Sequence, residues 1–302
     1  MRAGIAGGVL SSGSRPPAMT LRRLLDAAVA RLDAAGVEGA RRSAEWIVEH
    51  VTGASRATVY ARPATPVSLA QQRHAERLVA RRAAGEPVQY VLGEAEFFGR
   101  PFGVAPAVLI PRPETEEVVE HALACLRGAE APWVLDVGTG SGAIAVTVKA
   151  ERPDAEVFAV DVSPEALDVA RRNAERLGAA VTFVLADALR PALAAEVPPT
   201  FDLVVSNPPY VPDAERAGLQ AEVRWEPELA LFVPDADPLR FYRALAGHAL
   251  ALLKPGGWLV AETHADHGRA VAELFAEAGL ADAEIRADLA GRDRIASARR
   301  VG

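Results

Sequence analysis

From Val134 onward the chain alternates short apolar runs with amphipathic ones, and this alternation restricts its fold more than any other feature. Val134–Val137, Glu156–Val160, Val181–Leu185, Phe201–Ser206 and Trp258–Glu262 have strand length and are almost wholly apolar. Helical periodicity follows most of them, at Ala143–Ala150, Pro164–Leu177, Leu239–Leu253 and His267–Ala278. Strands that read apolar on both faces must be covered on both faces, so the pattern predicts a mainly parallel, doubly wound α/β sheet. Ala283–Asp288 and Ile295–Arg300, flanking Gly291-Arg292-Asp293, read as two antiparallel closing strands, which makes seven.

The first 110 residues read differently. Periodic sequence begins after Met19, and residues 1–18 are expected to be a disordered extension. Residues 19–85 read as a small all-helical domain. Leu21, Leu24, Leu25, Ala28, Val29 and Leu32 form one stripe, and Ala44, Ile47, Val48 and Val51 a second. A third segment, Leu69 to Arg82, stops at Gly85 and Pro87. Residues 86–110 carry short apolar runs broken by Gly93, Gly99, Gly103 and Pro106, a hairpin-like linker. Pro111-Arg112-Pro113-Glu114-Thr115-Glu116 then opens a helix and the catalytic domain 111–302, with proline and acids in the first turn.

Charge narrows the partners. Residues 1–85 hold thirteen Arg and six acids, a formal +7, while the whole chain is −7, so residues 86–302 carry −14. An acidic catalytic region is a poor match to a duplex-DNA binder, so no direct nucleic-acid partner is expected. The basic part could contact an acidic partner or simply present solvated helix faces. No apolar run approaches the roughly 18 residues that cross a bilayer, so no membrane association is expected. The lone Cys125 rules out an internal disulfide and fits a reducing, cytoplasmic setting. His264 and His267 are close but lack metal-ligand spacing, and no metal is expected.

Chemistry gathers at the ends of the predicted strands. Asp136-Val137-Gly138-Thr139-Gly140-Ser141-Gly142 follows the first, where glycines let the backbone turn sharply and approach a ligand. Asp161 ends the second strand and can accept both hydrogen bonds of a ribose diol. Asp187 ends the third, beside Ala188, where it can meet an adenine amino group. A plain strand-to-helix turn needs neither Asp136 nor Asp161. Two cofactors fit a ribose-binding acid, a nicotinamide dinucleotide and S-adenosylmethionine. The dinucleotide fingerprint needs a glycine at 143, where this chain has Ala143, so S-adenosylmethionine is favoured.

The fourth strand runs into Asn207-Pro208-Pro209-Tyr210. Methyl transfer to an amide nitrogen is hindered because its lone pair is delocalised into the carbonyl. Acceptors that hold both N–H hydrogens orient the nitrogen and offset the charge developing on it. Asn207 supplies a side-chain oxygen. Pro208 supplies a backbone carbonyl restricted by Pro209. Tyr210 offers a flat face for a planar amide or base. These residues suit transfer to a planar nitrogen without saying whose.

With these segments in view, residues 20–302 resemble the release-factor N5-glutamine methyltransferases of the HemK/PrmC type. The likeness rests on Gly85-Glu86-Pro87-Val88-Gln89-Tyr90-Val91-Leu92-Gly93, Phe97-Phe98-Gly99 and Leu109-Ile110 with the 111–116 segment. It continues through the glycine loop, Asn207–Tyr210, Trp225-Glu226-Pro227, Lys254-Pro255-Gly256-Gly257 and Asp288–Arg294. The resemblance implies a class I S-adenosylmethionine-dependent, Rossmann-like methyltransferase that modifies the glutamine of the Gly-Gly-Gln motif in class I peptide-chain release factors during translation termination. It implies that Gly138, Thr139, Gly140, Ser141, Gly142 and Asp161 bind the donor, with Asp187 or Ala188 near the adenine. It places Asn207 against donor and substrate alike, Pro208, Pro209 and Tyr210 around the glutamine, and Phe98 and Arg112 nearby. The helical domain would grip the release factor, and the enzyme is taken to act as a monomer. Two segments depart from the family pattern, Phe232–Pro238 and Thr263–His267. A ribosomal-protein glutamine methyltransferase and a nucleic-acid N6-adenine methyltransferase are the competing readings, with a non-catalytic binding module behind them.

Overall fold

A computed structural model describes residues 18–191, 193–198 and 200–302. The expected extension therefore lies outside the described residues except for Ala18. The chain divides into two compact units at Val88/Gln89.

The first unit contains α1 (Leu21–Ala34), α2 (Ala40–Thr52), α3 (Arg56–Ala61) and α4 (Leu69–Ala83). Thr20 caps α1 by accepting from the Arg23 amide, and Ser68 with Gln71 forms a reciprocal capping box on α4. Most of the predicted stripes are buried: Leu25, Leu32, Ala44, Ile47 and Val48 are fully enclosed and Leu78 and Val79 of α4 nearly so, while Val29 and Val51 are half-buried. Each large aliphatic side chain removed from water contributes about 1.5–3 kcal/mol. Helix α3 escapes a periodicity reading because it is six residues long and buries only Val59. It is fixed instead by polar contacts to the buried Glu45, which accepts from Tyr60 (2.6 Å) and pairs with Arg56 (3.0 Å).

Helix α5 (Val88–Leu92) follows, then a hairpin of β1 (Glu94–Phe97) and β2 (Arg100–Gly103). Its two-residue turn, Phe98-Gly99, has φ of 52° and 68°. Positive φ at both positions matches the right-handed strand twist. Phe97 and Phe102 join the main core, so the hairpin within the expected linker is a packed element of the second unit.

The rest comprises α6 (Pro113–Cys125), β3 (Trp133–Val137), α7 (Ala143–Glu151), β4 (Glu156–Asp161), α8 (Pro164–Leu177), β5 (Val181–Leu185), α9 (Leu193–Glu196) and β6 (Phe201–Ser206). After β7 (Val211–Pro212) and a run of 3-10 turns come β8 (Phe232–Val233), α10 (Arg240–Leu252), β9 (Leu253–Glu262), α11 (Gly268–Glu277), β10 (Ala281–Ala287) and β11 (Asp293–Arg299). Among the described residues they form a seven-stranded sheet of order β10-β11-β9-β6-β3-β4-β5. The β9, β6, β3, β4 and β5 strands are parallel, and β11 and β10 close the edge antiparallel. One face packs on α6, α7 and the hairpin through Val118, Ile144 and Phe97, and the other on α10 and α11 through Tyr242, Leu245 and Phe275. The chain leaves β3 toward β4 and β5, then returns to β6 on the other side, so β3 and β6 border the switch point where such sheets bind ligands. Strand β9 starts earlier than its apolar run predicts. Gly257 permits this, since a Cβ there would lie 3.0–3.2 Å from three backbone carbonyl oxygens. Among the described residues no helix is long and apolar enough to cross a membrane.

Candidate active site

The loop after β3 is built around two carboxylates. Gly138, Gly140 and Gly142 have φ of 75°, 55° and 80°, the left-handed region that residues with a Cβ avoid. The Gly138 and Thr139 amides both donate to the Val160 carbonyl, at 2.9 and 3.0 Å, tying the loop to the end of β4. Thr139 Oγ1 (2.6 Å) and the Ala145 amide (3.2 Å) donate to one oxygen of Asp136, while its other oxygen is buried without a partner. Asp161 accepts from the Gly140 amide (2.8 Å) and the Ser163 amide (2.9 Å), one on each oxygen. Each oxygen keeps a second acceptor position for a ligand. Burial raises the pKa of both acids, more than the hydrogen bonds lower it, and pushes Asp136 up to about 7.

That displacement predicts a pH dependence of stability. Between about pH 4 and 7 the folded chain holds a proton on Asp136 that the unfolded chain releases, so stability falls as pH rises through the window. Asp136→Asn removes the titration and should flatten this slope by up to about 1.4 kcal/mol per pH unit. Denaturant midpoints measured across pH 4–7.5 check it; parallel slopes in the two proteins would refute the assignment.

A cavity of about 490 Å³ lies over the switch point, lined by Gly138, Thr139, Gly140, Ser141, Asp161, Asp187, Ala188, Asn207 and Pro209 among others. Further walls come from Leu109, Pro111 and Thr115 on one side, and Pro227, Leu229 and Phe241 on the other. Glu165, Asp161 and Asp187 bring three carboxylates, and no described lining residue is Arg, Lys or His. Asp187 accepts from the Leu189 amide (2.9 Å) and pairs with Arg190 (3.3 Å), which orients it at the end of its strand.

The remaining predicted residues are distributed around this space. Gly142, Pro208, Tyr210, Phe98 and Arg112 do not line it. Gly142 caps α7 beneath the loop. Phe98 occupies the hairpin turn, its amide donating to Glu116 (2.7 Å). Arg112 forms an ion pair with the buried Glu226, which also accepts from the Ile110 amide (2.9 Å). This clamp joins the Leu109–Pro111 wall to the Pro227–Leu229 wall.

Two residues without a role in the sequence reading, Thr115 and Glu262, complete the site. Thr115 Oγ1 donates to Glu262 Oε2 at 2.6 Å, and Asn207 Nδ2 donates to Thr115 Oγ1 at 3.1 Å. Tyr210 OH donates to Glu262 Oε1 at 3.0 Å, and Tyr242 OH to the Glu262 backbone carbonyl at 3.0 Å. Glu262 is fully buried, and its desolvation raises its pKa above the ordinary carboxylate value. Desolvation, together with the nearby Glu262 charge, raises the Tyr210 pKa, so its hydroxyl keeps its proton. The signal for Glu262 was an acid closing an otherwise apolar strand. Of the two atypical segments, Phe232-Val233 pairs with β7, and His264 faces Glu215 at 3.4 Å, with its ring 6.1 Å from that of Tyr210.

Known proteins resemble the chain along most of its length. Residues 23–93 match the family model described as PrmC N-terminal domain, and residues 120–223 the one described as Methyltransferase small domain. A release factor glutamine methyltransferase from Geobacter sulfurreducens is 42% identical over 289 residues, covering 94% of this chain and 98% of its own. The protein of that name from Cereibacter sphaeroides is 47% identical over 276 residues, covering 91% and 96%. Among solved structures, a methyltransferase from Pyrococcus furiosus aligns with a TM-score of 0.50 at 22% identity, covering 76% of this chain and 98% of that one. At that identity the likeness establishes the fold alone.

Proposed function

The chain belongs to the release factor glutamine methyltransferase family, and from that premise we propose that its cavity uses S-adenosylmethionine to methylate the N5 amide of the glutamine in a Gly-Gly-Gln motif of class I release factors. The observation that carries this reading is that Asn207 and the glycine loop, from neighbouring parallel strands, border one cavity.

The cavity suits this donor better than a dinucleotide. Three carboxylates without a lining cation favour a sulfonium and disfavour a pyrophosphate. Gly138–Ser141 would face the donor's amino-acid portion, Asp161 the ribose, and Asp187 with Ala188 the adenine. When bound, S-adenosylmethionine supplies an electrophilic methyl group. The protein's task is to hold the amide nitrogen in line with it. Asn207 Oδ1 and the Pro208 carbonyl accept the two amide hydrogens, which fixes the nitrogen and stabilises the charge developing on it; once the methyl has moved from sulfur to nitrogen, one of these hydrogens leaves as a proton to water. Pro209 and Tyr210 shape the surrounding pocket, and the Arg112–Glu226 clamp keeps its walls together. The rigid alignment acts mainly through proximity. The helical unit, with Arg22, Arg23, Arg31, Arg41 and Arg42 all exposed, is assigned to contact with the release factor.

The test is to incubate the protein with methyl-labelled donor and, separately, a purified release factor, ribosomal subunits and unmethylated DNA. Label on the factor's Gly-Gly-Gln glutamine is expected. Label on ribosomal protein or DNA, with none on the factor, would overturn the assignment.

A further inference from the structure

The Asn207 side chain could present either its oxygen or its NH₂ group to the cavity, and only the oxygen can accept a substrate N–H. The choice is made by Thr115 in the cavity wall and by the buried Glu262 behind it. A threonine hydroxyl has one proton, and that of Thr115 is directed to Glu262 Oε2 at 2.6 Å. Thr115 Oγ1 is thereby left as an acceptor, and Asn207 meets it with Nδ2 at 3.1 Å. Among the described residues no other group bonds Asn207 Oδ1, so the oxygen is the end available to a ligand. The other Glu262 oxygen accepts from Tyr210 at 3.0 Å, so the same carboxylate also fixes the last residue of the tetrapeptide.

We propose that Thr115 and Glu262 are positioning residues for methyl transfer: the buried carboxylate sets the direction of a hydrogen-bond relay that turns the Asn207 oxygen toward the substrate amide. This rests on the role given to Asn207 above. The relay has a polarity. As a carboxylate, Glu262 only accepts, and each donor along the chain must point toward it. As a carboxylic acid it can donate to Thr115 Oγ1, freeing the threonine proton to bond Asn207 Oδ1. The amide then turns over and offers its NH₂ group, a donor facing a donor. The groups facing the Glu262 carboxylate are Thr115 and Glu114 on α6, Tyr210 after β6 and Arg294 on β11, with Tyr242 of α10 on its backbone carbonyl. Arg294 favours the ionised form, Glu114 opposes it, and burial opposes it more. The competent form is therefore lost as pH falls, at a higher pH than for an exposed glutamate.

Thr115→Val keeps the shape and removes the hydroxyl, whereas Thr115→Ser keeps the hydroxyl. With S-adenosylmethionine and a purified release factor, Thr115→Val should lower kcat about 10- to 100-fold, the scale of a misaligned reacting group. KM for the factor and Kd for the donor should stay within about twofold, and Thr115→Ser should restore most of kcat. The wild-type kcat should show an acid limb that Glu262→Gln abolishes while lowering the plateau. If Glu262→Gln does not fold, the threonine pair and the wild-type profile decide. Thr115→Val within about twofold of wild-type kcat, or a serine variant as poor as the valine, overturns the relay if Asn207→Ala is inactive. Normal turnover in Asn207→Ala overturns the underlying role of Asn207, and the relay with it.

Discussion

Replacing Asn207 by alanine is expected to lower turnover by at least about 10²-fold while leaving donor affinity largely intact, the scale for removing one oriented polar group from a developing charge. Asn207 is only partly buried at the end of β6, and its one hydrogen bond among the described residues runs from Nδ2 to Thr115. Its loss leaves Thr115 still bonded to Glu262, so folding should change little. What disappears is the Oδ1 acceptor. Asn207→Asp makes a sharper test of the same point, because it keeps an oxygen there but sets a second acceptor against Thr115 Oγ1. The threonine's single proton is already directed to Glu262. The aspartate is thus expected to be about as slow as the alanine. Single-turnover rates with saturating donor check both, and a near-normal rate in Asn207→Ala would remove Asn207 from the chemistry.

The parts legible in sequence were those whose cause is local. Interior parallel strands must be apolar on both faces, so β3, β4 and β6 are apparent from Val134–Val137, Glu156–Val160 and Phe201–Ser206 alone. Asp136 and Asp161 are legible because acids closing such strands have no packing purpose. By contrast, β7 and β8 have two residues each and lie around 3-10 turns rich in charge and proline, with no period to detect. The hydrogen bond between Thr115 and Glu262 joins residues 147 positions apart. In sequence Thr115 is a helix-start residue and Glu262 a strand end. Their meeting follows from α6 packing against β9 beside β6, a tertiary fact that neither segment encodes by itself. The same holds for Arg112, whose partner Glu226 lies 114 positions away, after β3, β4, β5 and β6 in the chain.

Gly142→Ala should be the most damaging single-methyl change in the glycine loop, and the reason is distinct from ligand approach. Gly142 has a φ of 80°, and a Cβ there would sit 3.1 Å from Ala170 Cβ, 3.3 Å from Ala170 Cα and 3.3 Å from Val146 Cγ2. Left-handed backbone on a residue with a Cβ costs about 1–3 kcal/mol, and forcing a methyl into filled space costs about 1–3 kcal/mol more. Neither neighbour yields easily. Ala170 is fully buried on α8 and meets the new atom partly with backbone, while a valine within a helix has one strongly preferred rotamer. The combined loss is a large share of the roughly 5–15 kcal/mol that holds a domain folded. Gly138→Ala supplies the control. It has a similar φ of 75° with nothing within 4 Å of the added Cβ, so it should incur only the backbone part. Denaturant midpoints should therefore rank wild type above Gly138→Ala above Gly142→Ala. Equal midpoints for the two variants would show that α7 and α8 can separate around residue 142. The loop would then owe its glycine at that position to backbone conformation alone.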